Sequence, residues 1–116
     1  MPQIIHGNIG ITGWGLVGQT ITNAQDIHII FNKHNMNFYA KTVTVWNTGA
    51  EGDGNLYVLA NCDENKWNNL ESNSILIPPS GPVQMFVFSS DGAPPITSIY
   101  LSVRGGNNTT FNISAF

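Results

Sequence analysis

Lys41-Thr42-Val43-Thr44-Val45-Trp46, followed at once by Asn47-Thr48-Gly49, decides the fold class. Val43 and Val45 alternate with Thr42, Thr44 and Trp46. That period of two sends one set of side chains to a core and the other outward. Asn-Thr-Gly then ends the strand with residues that favour turns.

The same grammar repeats on both sides of this stretch. Toward the N-terminus, 27–31 (Ile-His-Ile-Ile-Phe) lies between Asn23 and Asn32, with weaker candidates at 4–5, 9–11 and 19–22. Toward the C-terminus, 55–60 follows the turn Glu51-Gly52-Asp53-Gly54, and 74–77 stops at Pro78-Pro79. Residues 83–88 end at Ser89-Ser90-Asp91-Gly92, 98–103 at Gly105-Gly106, and 110–114 close the chain. That makes about eight or nine short strands at roughly ten-residue spacing. The one helical candidate is a turn over 63–70, capped by Asp63. Evenly spaced strands without helical crossovers predict an all-β protein, an antiparallel β-sandwich with a jelly-roll-like arrangement, in one domain over 1–116. No internal repeat is visible, which disfavours a propeller or trefoil.

The alternation assigns faces. Ile99, Leu101 and Val103 are expected inside, with Tyr100, Ser102 and Arg104 outside. Phe111, Ile113 and Ala115 are expected inside, with Asn112 and Ser114 outside. Two strands are apolar on both sides: 83–88 (Val83, Met85, Val87 against Gln84, Phe86, Phe88) and 56–60. Such a strand is expected to be covered twice, by the core and by either the loop 61–73 or a neighbouring subunit, the subunit being favoured.

Composition narrows the function classes. Of 116 residues only 9% are charged, with net charge −3, against roughly 25% charged in an average domain. Fifteen Asn and 12 Gly leave a neutral, polar surface. Four Lys and Arg in total cannot neutralise a nucleic-acid backbone, so no nucleic-acid partner is expected. No apolar run nears the roughly 20 residues of a membrane helix, so no membrane insertion is expected. Hydrophobic content of 41% is too high for disorder. The single Cys62 cannot form an intramolecular disulfide. Met-Pro-Gln-Ile-Ile-His-Gly lacks the pattern of a signal peptide, so the protein is expected to be cytoplasmic as made, with leaderless release open. Sequons begin at Asn107, Asn108 and Asn112, but an Asn-rich chain produces these by chance.

Catalytic patterns are weak, and the expectation is a non-enzymatic protein. The seven acids, Asp26, Glu51, Asp53, Asp63, Glu64, Glu71 and Asp91, fall mostly in turns, where carboxylates are ordinarily solvated. Cys62 stands beside Asp63 and Glu64, whose charge would oppose thiolate formation. Gly13-Trp14-Gly15-Leu16-Val17-Gly18 superficially suggests a dinucleotide fingerprint, but no βαβ unit follows, and it reads as a Gly-rich loop. His28 and His34 have no zinc spacing with a Cys, and His28 is expected to face solvent. Glu51, Asp53 and Asn55 present oxygens at alternate positions and are candidate calcium ligands, more simply read as a hairpin turn. No other cofactor is indicated.

Ligand recognition remains. Neutral sugars are bound by an aromatic face together with fixed planar hydrogen-bonding groups. Trp46 belongs to the outward set of its strand. Trp67 lies in the most polar loop, with Asp63, Asn65, Asn68 and Asn69. These six residues are the candidate ligand-binding set. Two functions are thereby expected: a lectin-like carbohydrate-binding protein, oligomeric for avidity, or a self-assembling structural subunit, capsid-like, inclusion-forming or an appendage building block, whose low charge permits close packing.

Overall fold

The computed structural model describes residues 3–22, 26–34, 36–61, 74–80, 85–89, 95–104 and 107–116. Among these residues all regular structure is strand: β1 (Gln3–Asn8), β2 (Trp14–Ile21), β3 (Ile27–Lys33), β4 (Met36–Asn37), β5 (Thr42–Asn47), β6 (Asn55–Ala60), β7 (Ile75–Ile77), β8 (Met85–Ser89), β9 (Ser98–Arg104) and β10 (Thr109–Ala115).

The strands form two packed sheets. One runs β1-β3-β9-β6-β7, with β4 added on β3; the other is four-stranded, in the order β2-β10-β5-β8. The β-sandwich expected from the alternation is therefore what the chain forms. Ile27, Ile29 and Phe31 of β3, Ile99, Leu101 and Val103 of β9, and Leu56 and Val58 of β6 face inward from the first sheet. They meet Val43 and Val45 of β5 and Phe111, Ile113 and Ala115 of β10 in one buried cluster. Burying each large aliphatic or aromatic side chain is worth about 1.5–3 kcal/mol before the entropy of ordering is subtracted.

Four local expectations change. β1 pairs with β3 in parallel, Gln3 opposite Ile27 through Asn8 opposite Asn32, while every other pairing is antiparallel. A parallel pair needs a long crossover, and here the chain makes it through β2 of the opposite sheet rather than through a helix. Second, most of the Gly-rich segment 13–18 belongs to strand β2 rather than to a loop. Its Trp14 is half-buried and packs edge-on to Phe31, ring centroids 6.0 Å apart. Gly7 makes that possible, because a Cβ there would lie only 3.1 Å from both rings. Third, Tyr100 and Ser102 point to the outer side of their sheet yet are buried. Tyr100 packs against Tyr57 and Leu59, and the half-buried His28, expected to face solvent, stacks on it at 4.1 Å. Fourth, β8 is apolar on both sides but covered on one only: Met85 and Val87 on its outer side are about half exposed.

Cys62 and the proposed helical turn 63–70 lie outside the described residues.

Candidate functional site

β5 and β10 are neighbours in the four-stranded sheet, and their alternation sends Thr44, Trp46, Asn112 and Ser114 to the outer side while their partners fill the core. Register sets these residues side by side. Trp46 stands opposite Asn112 on one flank and Met85 on the other; Thr44 stands opposite Ser114 and Val87.

The far wall comes from an irregularity in β2. Leu16 pairs with Ile113 and Gln19 with Phe111, so Val17 and Gly18 together face Asn112. Two residues against one is a β-bulge. Gly18 takes a left-handed backbone with φ 68°, which favours glycine. Its N–H donates to Asn112 Oδ1 at 2.7 Å. That bond fixes the plane of the Asn112 carboxamide and leaves both Nδ2 hydrogens directed elsewhere.

The result is an open groove of about 200 Å³ on the sheet face, lined by Gly15, Leu16, Val17, Thr44, Trp46, Met85, Asn112, Ile113 and Ser114. Trp46 is 44% exposed. Among the described residues lining the groove there is no carboxylate, imidazole, thiol, ammonium or guanidinium. The wall therefore offers a ring face, an oriented amide and hydroxyls, and no group poised to move a proton near neutral pH.

Trp46 alone of the candidate ligand-binding residues is described; Asp63, Asn65, Trp67, Asn68 and Asn69 lie outside the described residues. Sequence reasoning did not single out Asn112 and Ser114 as ligand-binding. The available signal was their place in the outward set of the last strand, but which strand lies beside Trp46 is a matter of topology.

Of the calcium candidates Glu51, Asp53 and Asn55, Asp53 has a structural occupation. Asp53 Oδ2 accepts the Ala50 N–H at 2.8 Å, and the Asp53 N–H donates to the Ala50 carbonyl at 3.0 Å, closing the turn. Gly52 carries the positive φ that the turn requires, and its carbonyl accepts from Asn107 Nδ2 at 2.6 Å. Among the described residues no group of three or more His, Cys, Asp or Glu gathers to hold a metal ion.

A second cavity, about 390 Å³, lies on the other sheet, lined by His28, Ile30, Phe31, Phe38, Thr97 and Ser98. Asn61 braces its rim: Oδ1 accepts the Thr97 N–H at 2.7 Å, and Nδ2 donates to the Pro95 carbonyl at 2.8 Å. Its lining is mostly apolar and holds a single imidazole.

The fold and groove define a two-sheet β-sandwich with a polar-aromatic sheet face. No protein-family model and no curated protein matches the chain. Among solved structures it is similar to the pre-peptidase C-terminal domain of collagenase from Bacillus anthracis, with 15% identity and a TM-score of 0.52, over 100% of this chain and 95% of that one. At that identity the likeness is one of fold. Among the described residues no helix is long and apolar enough to cross a membrane.

Proposed function

We propose that the protein is a non-enzymatic, lectin-like carbohydrate-binding protein that takes neutral glycans in the Trp46 groove and works as an oligomer. One observation carries this: an exposed indole lies in register beside a carboxamide whose orientation is held by a backbone N–H. A pyranose offers C–H groups to the ring and hydroxyls to the Asn112 amide and to Ser114 and Thr44. The uncharged lining suits a neutral ligand, because no buried charge is left uncompensated. About 200 Å³ is small beside the roughly 300–1,000 Å³ of drug-sized pockets, which favours one sugar ring per groove. A single-ring site is weak, and several copies acting together supply avidity.

On sequence grounds Trp67, with Asp63, Asn65, Asn68 and Asn69, remains a candidate second contact. Glycan-array binding by the wild type, Trp46→Ala and Trp67→Ala separates the two. Loss of signal in Trp46→Ala with the fold intact supports the groove. Absence of any glycan signal in the wild type, or full retention in Trp46→Ala, overturns it.

The alternative, a self-assembling structural subunit with no small-molecule ligand, draws on the exposed apolar strand β8.

A further inference from the structure

Among the described residues five strands pair on one side only, β1, β2, β4, β7 and β8, and all but β8 have features that discourage pairing with another chain, β4 being only two residues long. β2 carries the Gly18 bulge, β7 has only three residues and runs into Pro78, and β1 alternates Ile4 with the polar His6 and Asn8 on its exposed side. Short edges, bulges and polar side chains blunt an edge. β8 has no bulge and, up to Ser89 at its end, no polar side chain. Met85-Phe86-Val87-Phe88-Ser89 has no charge, no Pro and no irregularity in its pairing with β5. Among the described residues no strand pairs with its other side.

Its three central residues, Phe86-Val87-Phe88, are symmetric about Val87. We propose that β8 pairs antiparallel with β8 of a second copy of this chain, about a two-fold axis at Val87. In that register Phe86 lies opposite the partner's Phe88, and Phe88 opposite the partner's Phe86. Both rings lie on the core-facing side, across from Val45 and Val43, and within one chain they already pack edge-on at 4.8 Å. Phe86 nevertheless keeps 36% of its surface exposed, because it sits at the sheet margin. The partner's Phe88 covers that remainder, and cross-strand aromatic pairs are among the favourable sheet contacts. An isologous contact needs a self-complementary surface, which the uncharged, symmetric Phe86-Val87-Phe88 provides.

An axis normal to the sheet preserves its faces. Four strands from each copy then form one continuous sheet, with both Trp46 grooves on the same side. A five-residue strand pair buries less than the roughly 1,200–2,000 Å² of a standard interface, so the association is weak and concentration-dependent.

The test is sedimentation across a concentration series for wild type and Val87→Lys, with circular dichroism to confirm folding. It is accompanied by oxidative cross-linking of Val87→Cys in a Cys62→Ser background. The expected result is a wild-type mass rising toward the dimer, a monomeric Val87→Lys of unchanged fold, and a disulfide-linked dimer from Val87→Cys. Thr44→Cys, one strand in from the edge, should not cross-link. A wild type that stays monomeric with no cross-linking, or a dimer that persists in Val87→Lys, overturns the proposal. The first of these outcomes leaves an extended segment of another protein as the occupant of the edge. Glycan binding by a single groove does not depend on the outcome, so the two proposals fail separately.

Discussion

Asn47 Nδ2 donates to the Ile77 carbonyl at 2.9 Å, a bond that runs from the four-stranded sheet to the edge strand of the opposite one. The same side chain is fully buried and saturated. Its Nδ2 also donates to the Gly54 carbonyl, and its Oδ1 accepts from Thr109 Oγ1 at 2.7 Å and from the Gly49 N–H at 3.0 Å. A residue that begins as a turn signal in the sequence is a polar tie between the two sheets.

Asn47→Ala should therefore cost about 2–4 kcal/mol, because it leaves buried partners without their bonds. Asn47→Asp should cost at least as much, since it replaces an N–H donor facing two carbonyls with an acceptor and adds a buried charge. Urea unfolding measures both; a midpoint within error of wild type for either variant contradicts the role.

Gly13 and Gly18 both have positive φ, 91° and 68°. They differ in surroundings: a Cβ on Gly13 would lie 2.6 Å from the Ala115 carbonyl oxygen, whereas nothing lies within 4 Å of one on Gly18. Gly18→Ala should cost only the backbone term, about 1 kcal/mol, and Gly13→Ala clearly more. Thermal unfolding of the two variants should rank them in that order.

Asn112→Ala removes the oriented amide from the groove while leaving the buried core untouched. Glycan affinity should fall about tenfold or more, equivalent to about 1.4 kcal/mol. Stability should fall by about 1 kcal/mol or less, because the Gly18 N–H it releases is exposed to water. Titration calorimetry beside denaturant unfolding separates the effects. A stability loss with unchanged affinity assigns Asn112 to the bulge alone.

Leu101 is fully buried at the centre of its sheet, between Ile27 and Val58 in register. Leu101→Ala should cost about 2–5 kcal/mol. Thr44→Ala, on the outer face, should change stability by about 0.5 kcal/mol or less. Equal effects of the two would contradict the assignment of faces.

The assignment of faces was legible in the sequence wherever a strand alternates cleanly. Val43 and Val45 against Thr44 and Trp46, and Phe111, Ile113 and Ala115 against Asn112 and Ser114, all fall where the period of two puts them. It holds for Tyr100 and Ser102 as well, which lie on the outer side of β9, but the exposure expected there does not: both are buried. β6 and β3 flank β9 on both sides and bring Tyr57, Leu59 and His28 around Tyr100, while Ser102 has Tyr57 opposite it in register, an outcome of lateral packing. The strand assignment itself differs at Gly13 to Gly18, where glycines signalled a loop and most of the segment is β2. Gly18 is the residue of a bulge within a strand, and neither bulge nor loop is distinguishable until the partner strand is known.

The low charge and the Asn excess show the same division. From the sequence alone came a β-sandwich, a neutral surface and an outward-facing Trp46, because these depend on local periodicity and composition. Which residues accompany Trp46 depended on strand order. Asn112 is 66 residues away in sequence and adjacent in register, and pairing over that distance is set by which sheets can close one common core. Only the tertiary structure could decide that, and with it that Asn47 ties the sheets, Asn112 faces the groove, and no strand among the described residues pairs with the outer side of β8.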